Sequence, residues 1–122
     1  MRLALSFDGQ ILGDVEFGSP NERGLRMGVL RANPAYHSVR PRLQQAMLHL
    51  MRMKGASGEE IRTQLLREHA ELEAEGLMLV DATGERVPTE FLQVTDMFPL
   101  DTTPEVLDML GVQVGARFAA AT

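Results

Sequence analysis

Alternating apolar and polar positions open the chain and predict a β-hairpin. Two short segments show this two-residue period, through Leu3, Leu5 and Phe7 and then through Ile11, Val15 and Phe17. Asp8-Gly9 between them is a turn signal. A two-residue turn would place the second apolar set on the wrong face, so we expect a three-residue loop, residues 8–10. This loop pairs Phe7 with Ile11 and Leu3 with Val15.

A third strand is predicted after a loop rich in turn-forming residues. The same alternation continues there through three further apolar residues, Leu25, Met27 and Val29. Gly28 inside this strand is a candidate β-bulge. Asn33-Pro34 ends the strand, because proline cannot donate a backbone hydrogen bond to a ladder. We expect residues 34–36 to be extended before the chain becomes helical.

The first helix is predicted over residues 38–54, with Pro41 early in the helix, where its missing N–H costs nothing. An apolar stripe at helical spacing marks its buried face, through Leu43, Ala46, Met47, Leu50 and Met51. Leu48 and Met53 lie off this stripe. A helix this apolar is expected to be covered on more than one side, either by its own domain or by a second copy of the chain.

A second helix is predicted after Gly55, because Ser57 and Glu60 have the spacing of a capping box. Gly76 marks the end of this helix. The predicted inner face consists of Ile61, Leu65, His69 and Leu72. The predicted outer face is acidic and consists of Glu68, Glu71, Glu73 and Glu75.

The rest of the chain predicts two strands, a short helix and a last strand. Residues 77–80 are a continuous apolar strand, and residues 81–85 are a turn. Pro88 confines the returning segment, residues 86–94, to a sheet edge or a bend. Thr102 and Glu105 form a second capping box before a helix that ends at Gly111. Residues 112–118 are the last strand.

These elements predict an α+β fold. Their order is βββ-αα-ββ-α-β, and no linker-like stretch divides residues 1–122, so we expect a single domain. In this layout two helices cover a mainly antiparallel sheet.

The composition excludes several kinds of site and location. The chain has 122 residues, enough for one domain, and is 44% hydrophobic with no cysteine. It therefore has no disulfide and no thiolate metal ligand. Its apolar stretches are far shorter than the roughly 20 residues that cross a bilayer. Its first residues lack the apolar run of a secretion signal. We expect a cytoplasmic protein that does not contact a membrane.

Motifs of catalysis and of cofactor binding do not occur in the sequence. It contains no phosphate-binding glycine loop, no serine nucleophile motif and no zinc-binding H-E-x-x-H pattern. His69 and Glu73 are one helical turn apart, but two ligands do not make a metal site. We therefore predict no catalytic residue, no metal and no cofactor, and a protein that is not an enzyme. A small hydrolase that uses Tyr36, His37 and an acid of the first hairpin is the second alternative.

The charge distribution is the clearest functional signal. The formal net charge is −5, yet residues 23–54 contain no acid and carry a net charge of +7. Such a block is either neutralised by neighbouring elements of the fold or presented as a basic face.

The first functional hypothesis is a non-catalytic protein-interaction module, a small regulator, inhibitor or assembly factor, that uses the basic and methionine-rich face of the first helix. Two partners fit this hypothesis, either an acidic protein or a second copy of the chain. The alternative is a nucleic-acid or phosphate-binding protein that uses residues 23–54, with an affinity that falls with salt. The residues expected to bind are Arg26, Arg31, Arg40, Arg42, His49, Arg52 and Met53.

Overall fold

The computed structural model describes residues 1–53 and 55–119. They form seven strands, which make one antiparallel sheet, and three helices. The strands are β1 (Arg2–Phe7), β2 (Gln10–Phe17), β3 (Leu25–Ala32), β4 (Met78–Val80), β5 (Arg86–Val87), β6 (Thr89–Thr95) and β7 (Val112–Phe118). The helices are α1 (Pro34–Met51), α2 (Gly58–Ala74) and α3 (Pro104–Leu110). Lys54, the predicted end of the first helix, lies outside the described residues. The predicted α+β class and element order are confirmed, with Pro88 dividing residues 86–94 into two strands.

The sheet is strongly curled. Its strand order is β5-β4-β1-β2-β3-β7-β6, and every neighbouring pair is antiparallel. β5 and β6 lie at opposite edges of this order, yet Pro88 alone separates them in the chain. The two edges therefore approach each other, and α1 packs on the concave face in contact with β2, β3 and β6. The place of Pro88 between two edge strands agrees with its missing N–H.

The core fills the space between this concave face and α1. Most of its fully buried side chains are leucines and valines of the strands, and α1 contributes Tyr36 and Leu43. α2 buries only Glu68 and Leu72 and therefore lies at the margin of the core.

The turn of the first hairpin differs from its prediction. It has two residues, Asp8-Gly9, whose φ angles of 50° and 79° are positive, as a type I′ turn requires. Phe7 therefore pairs with Gln10, and the predicted three-residue loop is wrong. The predicted pair of Leu3 with Val15 is nevertheless present.

A β-bulge in β2 accounts for both results. Leu5 pairs with Gly13 and Ser6 pairs with Ile11, so Leu12 is the extra residue between them. Leu12 is fully buried, whereas Ile11, predicted on the apolar face, is 45% exposed. The bulge thus supplies the one-residue shift that the sequence pattern requires.

Gly28 keeps β3 in register instead of forming the predicted bulge. It pairs with Phe17 on one side and with Val114 on the other. A Cβ at this position would lie 2.5 Å from the carbonyl oxygen of Glu16. The close approach of β2 to β3 therefore explains the glycine.

α1 begins four residues earlier than predicted. The side chain of Asn33 caps it, because Oδ1 accepts hydrogen bonds from the N–H groups of Ala35 at 3.0 Å and Tyr36 at 3.3 Å. Pro34 takes a first-turn position, where proline is favoured. The predicted extended segment is therefore wrong, and Pro41 lies inside the helix rather than near its start. The earlier start brings Tyr36 into the core.

α2 begins as predicted but buries a different face. The Oγ of Ser57 accepts a hydrogen bond from the N–H of Glu60 at 3.1 Å, which confirms the predicted cap. Glu68, predicted on the acidic outer face, is only 4% exposed, whereas Ile61, predicted on the inner face, is 40% exposed. The buried side of α2 is therefore centred on Glu68 and Leu72.

α3 begins one residue later than its predicted cap. The Oγ1 of Thr103, rather than of Thr102, accepts a hydrogen bond from the N–H of Val106 at 3.4 Å. Gly111 ends the helix with a φ of 78°, as predicted from its position. Leu107 is the residue that anchors α3 to the core.

Candidate functional site

The most heavily bonded polar cluster joins α1 to the loop after β6. Arg40 donates hydrogen bonds to both carboxylate oxygens of Asp96, with Nε–Oδ2 and Nη2–Oδ1 distances of 2.6 and 3.1 Å. The amide of Gln44 donates to Oδ1 at 2.9 Å, and the hydroxyl of Tyr36 donates to Oδ2. All four side chains are buried, so this cluster is an internal joint of the fold.

Mutual hydrogen bonding sets the protonation state of this cluster. Burial raises the pKa of Asp96, but hydrogen bonds from Arg40, Tyr36 and Gln44 lower it by more, so the pKa lies below its ordinary 3.8. Burial, reinforced by the hydrogen bond to Asp96, raises the pKa of the Tyr36 hydroxyl. The hydrogen bond to Asp96 raises the pKa of Arg40 despite its burial. At neutral pH the cluster is therefore an ion pair with a neutral tyrosine.

The same cluster fixes the course of the chain after β6. Nη2 of Arg40 also donates to the carbonyl of Phe98 at 2.9 Å, and the amide of Gln44 donates to the same carbonyl. Arg40, a predicted binding residue, is 2% exposed and therefore anchors this loop instead of contacting a partner. Tyr36, a residue of the hydrolase alternative, is also fully buried.

Two further predicted binding residues connect α1 to α2. The guanidinium of Arg42 donates to both oxygens of Glu75, with an Nε–Oε1 distance of 3.0 Å. The Nδ1 of His49 lies 2.6 Å from Oε1 of Glu68, which also accepts a hydrogen bond from Gln64 at 2.8 Å. Both contacts span the same pair of antiparallel helices, seven residues apart on each. Arg42 and His49 therefore hold the helical hairpin together.

The remaining predicted residues lie far apart in the fold. Arg26 and Arg31 are five residues apart on β3, so their side chains project from opposite faces of the sheet. Arg26 donates to the carbonyl of Gly18 at 3.0 Å. Arg52 is exposed at the end of α1, and Met53 is half-buried beside α2. The seven predicted residues therefore do not form one basic surface.

The segment between β6 and β7 exposes large apolar side chains. Leu107 is buried, but five others are exposed in this segment, namely Met97, Leu100, Val106, Met109 and Leu110. Met109 is 81% exposed, the highest value among the large apolar residues of the structure. Its hydrophobic side chain is therefore mostly uncovered in the single chain.

The convex face of the sheet, opposite α1, carries a second group of exposed apolar residues. Met27 and Val29 of β3 are 44% and 50% exposed. A Cβ on Gly111 would lie 2.6 Å from Cγ1 of Val29, and one on Gly115 would lie 3.0 Å from Sδ of Met27. Val29 therefore packs against Gly111, just before β7, and Met27 packs against Gly115, in the middle of β7. The contact with Gly111 places Val29 beside the end of α3.

A cleft of about 860 Å³ runs along β3 and reaches α3 at Asp108. Met27 and Val29 lie along it, and its charged residues are Glu16, Arg31 and Asp108. Asp108 belongs to α3 and Arg31 to β3, and in residues 1–53 and 55–119 they form no ion pair with each other. The β3–α3 surface is defined here by its exposed members, Met27, Val29, Arg31, Asp108, Met109 and Leu110.

A much smaller cavity lies between α1, α2 and β6. Its volume of about 20 Å³ is enough for one water molecule. Apolar side chains line most of it, together with Glu68 and His69. The Nε2 of His69 lies 3.2 Å from the carboxylate oxygen Oε2 of Glu73, whereas its buried Nδ1 has no partner within the described part of the chain. One bound water would satisfy this nitrogen.

The described residues contain neither a cluster of metal ligands nor a membrane-spanning helix. Among residues 1–53 and 55–119, no three histidine, aspartate or glutamate side chains are grouped so as to hold a metal ion. None of the helices in these residues is both long enough and apolar enough to cross a membrane.

No protein-family model, curated protein or solved structure matches this chain. The β3–α3 surface is the feature of the structure that bears most directly on function.

Sequence analysis identified Arg31 but missed the rest of this surface. The signal that could have found it is the composition of α3, in which apolar residues occupy more than one side of a short helix. Val106, Leu107, Met109 and Leu110 cannot all face the same core, because successive helical residues differ by about 100° in direction.

Proposed function

We propose that this protein is a non-catalytic protein-interaction module that binds its partner through the β3–α3 surface. The observation that carries the proposal is the exposure of large apolar side chains on β3 and on the adjacent helix α3. Met109, Leu110 and Val29 are 81%, 58% and 50% exposed, and Met27 is 44% exposed. Large apolar side chains left exposed on neighbouring elements are typical of a contact site.

The arrangement of polar groups fits an interface as well. Stable interfaces have an apolar centre and a polar rim. Here Met27 and Val29 lie within the cleft, and Glu16, Arg31 and Asp108 supply the charged groups around it. Methionine side chains adapt their shape to a partner, which suits them to such a centre.

The proposal is non-catalytic because the buried carboxylates are already hydrogen-bonded to other side chains of the fold. Asp96 is saturated by its neighbours in the core, and Glu68 is bonded to His49 and Gln64. Catalytic acids and bases need a cleft in which they meet a substrate. The large cleft on β3 contains one arginine and two carboxylates but no histidine. We include a cytoplasmic location in this proposal, because the chain lacks cysteine.

Site-specific photo-crosslinking in the cells that produce the protein tests this function. A photoreactive amino acid replaces Met109, and in a control protein it replaces Ala82, an exposed residue of the β4–β5 turn. We expect a discrete protein adduct from position 109 and none from position 82. Adducts at neither position, or at position 82 alone, would contradict a docking role for the β3–α3 surface.

A further inference from the structure

We propose that the partner of the β3–α3 surface is a second copy of this chain, related to the first by a twofold axis. This inference rests on the proposed function and names the occupant of the same surface. In a twofold dimer each contact between two different residues occurs twice, so the surface must complement itself.

The charges of the cleft have this self-complementary character. Arg31 and Asp108 lie on the same cleft, have opposite charge and form no ion pair with each other within the described residues. A twofold arrangement lets Arg31 of each copy meet Asp108 of the other. One geometric relation then gives two equivalent ion pairs at the edges of the interface.

The apolar groups complement each other in the same way. In α3 the helical spacing places Val106, Met109 and Leu110 on one side and Glu105 and Asp108 on the other. The projecting side chain of Met109 can fill the cleft of the second copy, over Met27 and Val29. The burial of these side chains supplies the main favourable free energy, and the ion pairs fix the orientation.

A second copy fits this surface better than an acidic protein does. The cleft contains the carboxylates of Glu16 and Asp108 but only one guanidinium, that of Arg31. An acidic partner would therefore meet a net negative surface, whereas a second copy can pair each Asp108 with an Arg31, and Glu16 already contacts the N-terminal ammonium of its own chain. α3 instead offers a mainly apolar side, with acids at one edge only.

Light scattering of the purified full chain measures this association. We expect a mass of twice 13.5 kDa at high concentration and dissociation on dilution, over a range from about 1 μM to about 1 mM. Met109→Asp places a charge at the centre of the interface and is expected to give a monomer throughout. Leu66→Asp is the matched control, because Leu66 is a 48% exposed residue of α2 outside this surface, and it should leave the dimer unchanged.

Charge exchange tests the proposed pairing directly. Arg31→Glu and Asp108→Arg each place like charges together, so each variant alone should raise the dimer dissociation constant at least about tenfold. An equimolar mixture of the two variants restores opposite charges at both contacts and should form a heterodimer of wild-type affinity. This rescue also shows that neither variant has lost its fold.

Several results would overturn this inference. They are a wild-type monomer over the whole concentration range, a dimer that Met109→Asp leaves intact, and a mixture that does not associate. If the chain is monomeric but position 109 cross-links to a different protein, the proposed function stands and the second copy is wrong. If it is monomeric and position 109 gives no adduct, both proposals are wrong.

Discussion

Asp96 shows how much of the fold depends on one residue. Its carboxylate accepts hydrogen bonds from Arg40, Gln44, Tyr36 and the backbone N–H of Phe98. These contacts join the middle of α1 to the loop that leads towards α3. The Asp96 cluster therefore fixes the start of the segment that leads to α3.

Removing this carboxylate should be severely destabilising. Asp96→Ala leaves the buried guanidinium of Arg40 without a counter-ion, which we expect to lower the free energy of unfolding by about 3–5 kcal/mol. Urea unfolding followed by circular dichroism measures the change. Asp101→Ala, which removes an exposed carboxylate nearby, is the control and should have little effect. A loss below about 1 kcal/mol for Asp96→Ala would contradict the role of this ion pair.

The same carboxylate should make stability depend on pH. Its pKa in the folded state is depressed below 3.8, so its stabilisation is fully present above that pH and is lost as pH falls through the folded-state value. We expect the free energy of unfolding of the wild type to fall more steeply below about pH 4 than that of Asp96→Asn. Urea unfolding at several pH values compares the two proteins. Parallel curves would show that Asp96 does not titrate in this way.

Two buried charged residues show what could not be predicted from the sequence. Glu68 belongs to the predicted polar face of α2, whereas Arg40, three residues before Leu43, lies in line with the apolar stripe of α1, and both charged side chains are buried. Their partners Asp96 and His49 are 56 and 19 residues away in the chain. A sequence shows the period of a helix but not which distant side chain will neutralise a charge. The pairing of these two buried charges could therefore not be predicted.

At the scale of elements, local signals were predicted best. The capping residues Ser57 and Gly76 depend on neighbours within a few positions, and the limits of α2 follow from them. The first hairpin is an intermediate case. The alternation of apolar residues required one extra residue between the two strands. A longer loop and a β-bulge both supply this residue, and only the turn geometry of Asp8-Gly9 shows that it is the bulge at Leu12.

The end of α2 gives a test at this scale. Gly76 has a φ of 102°, and a Cβ there would lie 2.9 Å from the backbone nitrogen of Asp8. We expect Gly76→Ala to lower the free energy of unfolding by about 1–3 kcal/mol, because both strain and a backbone clash oppose it. Gly58 of α2 is the matched control, since nothing lies within 4 Å of its added Cβ and its φ is not positive.

Thermal or urea unfolding distinguishes the two glycine variants. Gly58→Ala should be neutral or slightly stabilising, because alanine loses less backbone entropy than glycine on folding. Equal stability of Gly76→Ala and the wild type would mean that the helix ends differently from the structure described here.

At the scale of the whole molecule, folding disperses the basic block of the sequence. Residues 23–54 carry a net charge of +7, but Arg40 and Arg42 are paired with acids from later in the chain. Arg26 and Arg31 project from opposite faces of the sheet. The net charge of a segment was readable from the sequence, but its direction in space depends on the whole topology.

This dispersal predicts weak binding to nucleic acid. Phosphate binding grows with the number of cations that reach one backbone together. We expect the dissociation constant for a labelled DNA duplex to be weaker than about 10⁻⁴ M at physiological salt, as measured by fluorescence anisotropy. Micromolar binding with a log–log salt slope steeper than about −3 would show that several arginines act together, in favour of the nucleic-acid alternative.

The central claim is that a partner covers the β3–α3 surface in solution, and methionine oxidation tests it most directly. Met109 is 81% exposed in the single chain, and Met51 of α1 is 49% exposed outside the surface. Because oxidation follows exposure, dilute purified protein should oxidise faster at Met109 than at Met51. In the cells that produce the protein, we predict the reverse order, with Met109 protected. Faster oxidation of Met109 in both settings would contradict the account.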